Sequence, residues 1–184
     1  MPERRSADGI RAGDPENEVS RVFRAPRGLV FEVWTRAEHF ARWFGPHGVE
    51  VFDCEIDPRP GGAIRFGHRS AEGTAFRFEG TFLEVVTNER LVFTMRSIDE
   101  HGQPVRLPSL AALPLDLSIE TVVRLDDVGD GTRVRVAHRL LPADAGAHPV
   151  GMEWSRLAGK GATQVLDRLG QHLSSVVALR EPTP

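Results

Sequence analysis

The longest periodic pattern in the chain lies at its C-terminal end. Val150, Trp154, Leu157, Gly161, Val165, Leu169, Leu173 and Val176 recur three or four residues apart, the spacing that gathers apolar side chains into one stripe on a helix. A helix is therefore predicted from about Pro149 to Arg180. Glu153, Arg156, Lys160, Asp167, Arg168 and Gln171 fall on the opposite face, so the helix is half buried and its stripe needs a broad apolar partner. Each large side chain so covered contributes about 1.5 to 3 kcal/mol. Gly159 and Gly161, each costing about 0.5 to 1 kcal/mol relative to Ala inside a helix, are expected to mark a kink or a close backbone approach.

The partner comes from the middle of the chain, where the apolar period falls to two. A first strand is predicted over Glu18–Arg24, with Val19, Arg21 and Phe23 alternating with Ser20, Val22 and Arg24. Pro26 suits the first position of a helix whose apolar face is Leu29, Val30, Val33 and Trp34. Thr35 and Glu38 have the spacing of a capping box that restarts the helix; Phe40, Trp43 and Phe44 line one side of it, and Gly45-Pro46 stops it. Beyond Val49, Phe52, Cys54 and Ile56 share one strand face, and the Pro- and Gly-rich stretch from Asp57 to Gly62 is a connection. Ile64, Phe66 and His68 then alternate with Arg65, Gly67 and Arg69; after a Glu72-Gly73 turn, Phe76, Phe78 and Gly80 alternate with Arg77 and Glu79. Leu91, Phe93 and Met95 form the next apolar face. Ile119, Thr121, Val123 and Leu125 follow, then Val134, Val136, His138 and Leu140 across an Asp130-Gly131 turn. Short turns between such strands give an antiparallel sheet. Its other face is a solvated surface of mixed charge, carrying Arg65, Arg77, Glu79, Glu120, Arg124, Arg133 and Arg135.

One segment breaks this rhythm. Between Asp99 and Asp116, Pro104, Pro108 and Pro114 punctuate Leu107, Leu110, Ala111, Ala112 and Leu113, and Ser109 can cap a single helical turn. It is either a loop whose leucines pack on the outside of the core, or a lid over a pocket or a contact in a homodimer. Charge and composition narrow the function classes. The chain has 184 residues with a net charge of -3, and no Lys/Arg cluster tracks one predicted face, which argues against nucleic-acid binding. A single cysteine, Cys54, excludes an internal disulfide. No apolar run reaches the roughly 18 to 20 residues a membrane span needs, and a cytoplasmic location is expected. Residues 1–16 are polar and lack the apolar core of a signal peptide; they are expected to be a flexible tail before a single domain at 17–180.

The run Phe23-Arg24-Ala25-Pro26-Arg27-Gly28-Leu29-Val30-Phe31-Glu32-Val33-Trp34, followed by Ala41-Arg42-Trp43-Phe44-Gly45-Pro46, resembles the START-like (SRPBCC) superfamily. More narrowly, it is similar to the branch of homologues of the heat-shock-protein ATPase activator. Further matches are Arg59-Pro60-Gly61-Gly62, Gly80-Thr81-Phe82-Leu83-Glu84-Val85, Glu89-Arg90-Leu91-Val92-Phe93-Thr94, Gly131-Thr132-Arg133-Val134 and Leu166-Asp167-Arg168-Leu169, so the likeness runs from Val19 to Leu173. It implies an α+β helix-grip (START-like, Bet v-like) fold: a curved antiparallel sheet around a long C-terminal helix, with two short helices after strand one. It further implies an internal cavity between sheet and helix. Two departures stand out: the loop around Leu107 to Leu113 is longer than the branch leads one to expect, and the expected Gly-Trp pair near the start of the last helix reads Gly161-Ala162, which suggests a roomier cavity there.

Alternation independently lists the inward side chains from the sheet, among them Phe66, His68, Phe76, Phe78, Phe93, Met95, Thr121 and His138; Trp34, Trp43, Phe44 and Met152 or Trp154 close the space from the helices. The candidate ligand-binding set is Trp34, Trp43, Phe44, Phe66, His68, Phe78, Phe93, Met95, His138 and Trp154. Its aromatic and Met members equally suit an ordinary core. His68 and His138 are the informative pair, because each sits where an apolar residue is expected. Each is hydrogen-bonded in the core, near a strand end, or one of the few polar groups lining a pocket, and if both face one cavity either can act as a general base. No inward carboxylate is placed to orient either. No cofactor and no metal site is indicated: His39 and His47 lie on different elements, and there is no His-x-x-x-His or Cys-x-x-Cys. Cys54 reads as a small buried hydrophobe. The leading expectation is a binding protein for a small hydrophobic or amphipathic ligand. The second is a cyclase- or dehydratase-type enzyme moving protons with His68 or His138. Stimulation of a chaperone ATPase ranks last, because the eukaryotic activators carry an additional N-terminal domain not found in this sequence.

Overall fold

The computed structural model describes residues 18–106, 115, 117–142 and 149–180. The segment expected to be a flexible tail, and residues 107–114 and 116 of the apolar loop, lie outside them. The elements in chain order are β1 (Val19–Phe23), α1 (Arg27–Thr35), α2 (Ala37–Trp43), β2 (Glu50–Ile56), β3 (Ala63–Arg69), β4 (Ala75–Val86), β5 (Arg90–Ile98), β6 (Ser118–Val128), β7 (Gly131–Leu141) and α3 (Pro149–Arg180). All seven strands form one antiparallel sheet in the order β1-β7-β6-β5-β4-β3-β2. Hairpin connections make neighbours of consecutive strands, and only β1 crosses to the far edge, carried there by α1 and α2.

The inward faces are the expected ones on most strands. Ile64, Phe66, Leu91, Phe93, Met95, Thr121, Val123, Leu125, Val134, Val136 and Leu140 are all buried. The sheet curls because its strands bend. A Cβ on Gly80 would come within 1.6 Å of the Thr94 carbonyl oxygen, so glycine is what lets β4 close onto β5. Bulges between Phe52 and Glu55 and between Phe82 and Glu84 add further twist. In the hollow so formed, α3 packs on β7, β1 and α2.

The stripe on α3 differs from the one predicted. Ala162, Leu166, Leu169, Leu173 and Val176 are buried, whereas Leu157 is 45% exposed and Val165 only packs partly against the core. The reason is helical phase. Successive four-residue steps from Leu169 through Val165 and Gly161 to Leu157 each overshoot a full turn by about 40°, so the predicted stripe winds off the core. The buried set alternates steps of three and four. Nothing lies within 4 Å of a Cβ built on Gly159 or Gly161. Neither glycine therefore marks a close approach, and the helix runs through both.

Three local expectations also change. Thr35 does not cap α2: it ends α1, its hydroxyl donates to the Phe31 carbonyl at 2.8 Å, and Arg36 takes the cap position without a side-chain bond. Phe52 does not share a face with Cys54 and Ile56. Asp53 adopts φ 48 at the bulge, which turns Phe52 outward beneath the guanidinium groups of Arg69 and Arg77, 4.5 and 5.0 Å from its ring centre, while Cys54 and Ile56 pack against the core. The turn between β6 and β7 is Gly129-Asp130, since Val128 pairs with Gly131. The mixed-charge outer face is present as ion pairs, including Arg65–Glu55, Arg77–Asp53, Arg96–Glu79 and Arg135–Asp126. Glu120, expected to be solvated, is buried beneath Arg139.

Candidate ligand site

The corner between α1 and α2 sets one wall of the interior. Trp34 on α1, Phe40 and Trp43 on α2 and Phe44 just after it pack against one another, edge to face except for the stacked pair Phe40–Phe44. Ring centres lie 4.6 Å apart for Trp34–Trp43 and 4.1 Å for Phe40–Phe44. Alternation on β3 and β4 continues the wall: Phe44 meets Phe66 at 5.2 Å, Phe66 meets His68 at 5.0 Å, and His68 meets Phe78 at 5.1 Å. Six of the candidate residues, Trp34, Trp43, Phe44, Phe66, His68 and Phe78, thus form one aromatic group. Phe40 is an unforeseen member, 5.6 Å from Phe66.

Two buried polar atoms in this group, Trp34 Nε1 and His68 Nε2, have no hydrogen-bond partner among the described residues. Trp43 shows the ordinary solution, its Nε1 donating to the Val33 carbonyl at 3.0 Å. An unsatisfied buried group costs about 1 to 3 kcal/mol, so each such atom asks for a reason. Burial, reinforced by the positive charge of Arg168, lowers the His68 pKa to about 4. The ring is therefore neutral at physiological pH.

The remaining candidates lie elsewhere on the inner face. Phe93 packs against Phe82 at 5.5 Å, and Met95 is buried beside it on β5. His138, on β7, is separated from His68 on β3 by three intervening strands. Its Nδ1 is 3.0 Å from the hydroxyl of buried Thr121, and burial lowers its pKa to about 4. Trp154 packs with Val150, Leu117 and Ile119 on Leu140, two residues along the same face from His138. The candidates thus fall into an aromatic group on the side of β3 and β4, a pair on β5, and His138 with Trp154 on the side of β7, so the two imidazoles are apart.

Arg168 is a site residue that the sequence reading placed on the solvated face of the helix. Its Nη1 donates to the carbonyls of Gly45 at 3.1 Å, Pro46 at 2.9 Å and Val49 at 3.0 Å. The strap from Gly45 to Val49 is thereby tied to α3, and His47 N adds a bond to Gln164 Oε1 at 3.3 Å. Gly45 closes the strap over His68: at φ +108, a Cβ there would lie 3.1 Å from Nε2. Asp167, also expected on the solvated face, instead pairs with Arg21 of β1. A second unforeseen pair links α2 to α3, His39 Nδ1 to His172 Nε2 at 3.0 Å. Their ring centres are 5.2 Å apart, close to the sum for two rings joined end to end by one hydrogen bond. Cys54 is half buried and its thiol is pushed up to about 11, mainly by burial, which suits a packing role.

Among the described residues no group of three or more His, Cys, Asp or Glu is placed to hold a metal, and no helix is long and apolar enough to cross a membrane.

A curled antiparallel sheet gripping a long C-terminal helix, with two short helices after β1, is the helix-grip architecture. The family described as Activator of Hsp90 ATPase homolog 1-like protein matches residues 24–174, and the chain belongs to it. The resemblance seen in the sequence is thus to the right branch. Among solved structures, a protein from Chromobacterium violaceum is 26% identical with a TM-score of 0.63, covering 90% of this chain and 96% of that one. A protein from Arthrobacter aurescens reaches a TM-score of 0.70 at 18% identity, over 86% of this chain and 85% of that one. The AHSA1 protein from Silicibacter pomeroyi has a TM-score of 0.66 at 19% identity, over 85% and 96%. No curated protein matches the sequence significantly.

Proposed function

We propose that the protein binds a small hydrophobic or amphipathic ligand between the concave face of the sheet and α3. The observation that carries this reading is His68 Nε2, a buried ring nitrogen without a partner, set in a wall of Phe44, Phe66 and Phe78. Binding sites of this kind are mostly apolar, with a few polar groups that orient the guest. The cavity itself is part of the proposal. An acid–base enzyme has weaker support: Thr121 fixes one nitrogen of His138, but an imidazole held near a pKa of about 4 is a poor base at neutral pH. Stimulation of an Hsp90-type ATPase, the activity in the family's name, draws on that name alone.

Titration with a neutral apolar fluorophore, N-phenyl-1-naphthylamine, tests the carrier reading. Saturable binding at one site, accompanied by a change in the emission of Trp34 and Trp43, supports it. A linear, unsaturable response would refute it, as would saturation that persists unchanged when Phe66 and Phe78 are both replaced by Ala.

A further inference from the structure

Most arginines with defined partners face a carboxylate: Arg21 faces Asp167, Arg77 faces Asp53, Arg96 faces Glu79, Arg139 faces Glu120 and Arg180 faces Glu32. Arg168 is different. All its bonds go to backbone carbonyls, three from Nη1 and one long contact of 3.4 Å from Nη2 to Arg42. Among the described residues none offers it a carboxylate. Carbonyl oxygens satisfy hydrogen bonds but leave a net charge uncompensated, which is costly for a group partly withdrawn from water. The direction of its pKa agrees, lowered by burial with no opposing carboxylate.

The fork of a guanidinium binds a carboxylate side-on through two adjacent N–H groups. Nη1 is fully used by the strap, whereas among the described residues Nε has no partner and Nη2 only the long contact to Arg42. The Nε/Nη2 edge is thus the one left for an anion. The strap that Nη1 holds lies against His68, whose Nε2 is the orphaned buried atom. An uncompensated cation and an unsatisfied imidazole therefore meet at one loop.

Resting on the carrier reading above, we infer that the ligand is an amphiphilic carboxylate, that Arg168 and His68 recognise its head group, and that the strap from Gly45 to Val49 is its door. The carboxylate takes the free edge of Arg168 and supplies the missing negative charge. Neutralising the guanidinium's charge weakens its hold on the three carbonyls, and the strap lifts from the imidazole. His68, in the tautomer protonated at Nε2, donates to the second carboxylate oxygen. The anion binds as an anion and the ring stays neutral, so no proton changes hands.

Calorimetric titration at about pH 7.5 with decanoate and with decanol separates the charge from the chain. Decanoate should bind about tenfold more tightly than decanol. Arg168→Gln should bring the two within about twofold, and Arg168→Lys, which keeps the charge but not the fork, should restore part of the preference. His68→Phe should weaken decanoate selectively. Equal affinities in the unaltered protein, or a preference that survives both Arg168→Gln and His68→Phe, would overturn the inference while leaving the carrier reading intact. Failure of both compounds to bind removes the carrier reading and the inference with it. Should Arg168→Gln not fold by circular dichroism, the Arg168→Lys and His68→Phe proteins decide the matter, an unchanged preference in both overturning the inference.

Discussion

Acid should destabilise this fold well before its carboxylates are protonated, and the size of the effect follows from two buried rings. His68 and His138 each have a pKa lowered from 6.5 to about 4, in both cases chiefly by burial. A depressed histidine pKa means that the folded state holds the neutral ring and the unfolded chain binds the proton more readily. Stability is therefore complete above the unfolded value of 6.5 and is lost as the pH falls toward 4. Between about pH 7 and pH 5 the linkage amounts to about 2 kcal/mol for each ring, or about 4 kcal/mol together. His172, also lowered, first by burial and then by His39 and Arg42, acts in the same direction. A total stability of about 5 to 15 kcal/mol makes such a loss easy to see. Urea unfolding at several pH values is the assay. The midpoint should fall steeply across this window, and His68→Phe or His138→Gln should each remove roughly half of the slope. A midpoint constant down to about pH 5 would show that the two rings are hydrated or charged in the folded protein, and would refute the account of the inner face.

How far the amino-acid pattern reaches can be judged strand by strand. On β3, β5, β6 and β7 the inward positions are buried, so alternation alone identifies Phe66, Phe93, Thr121 and Val136, although Val92, Glu120 and Ala137 are buried on the other face as well. β2 defeats the same rule. Its bulge at Asp53 leaves no mark in the residue types, and Phe52 gains its cover outside the core from two arginine side chains. The aromatic wall was foreseeable because bulky rings recur on both short helices and on facing strands. Arg168 was not, because its partners are backbone carbonyls of a loop more than a hundred residues earlier, and a carbonyl has no residue identity. His39 and His172 pose the same difficulty: a bond across 133 positions shows only when the helices are packed. Local periodicity thus identifies faces, whereas the polar bonds that lock distant elements are settled by the tertiary fold.

Two further consequences concern packing. With its thiol raised from 9.0 to about 11, Cys54 should react with iodoacetamide at about pH 8 roughly a hundredfold more slowly than a free thiol, since only the thiolate attacks; a rate near that of free cysteine would show the side chain to be solvated. The phase of α3 is open to an equally direct test, because the two leucines that distinguish the observed stripe from the predicted one are chemically identical. Leu166 is fully buried and Leu157 is 45% exposed. Leu166→Ala should therefore cost about 2 to 5 kcal/mol, the loss of transfer energy plus the cavity left behind, while Leu157→Ala, away from such features, should stay within about 0.5 kcal/mol. Both replacements raise helix propensity by similar small amounts, so the difference between them reports burial and nothing else. Equal costs, or a larger cost at Leu157, would mean that α3 is rotated about its axis from the position described, since the two leucines lie nine residues, or about 180°, apart on the helix. Arg168, two positions beyond Leu166, would then point away from the strap it is seen to hold.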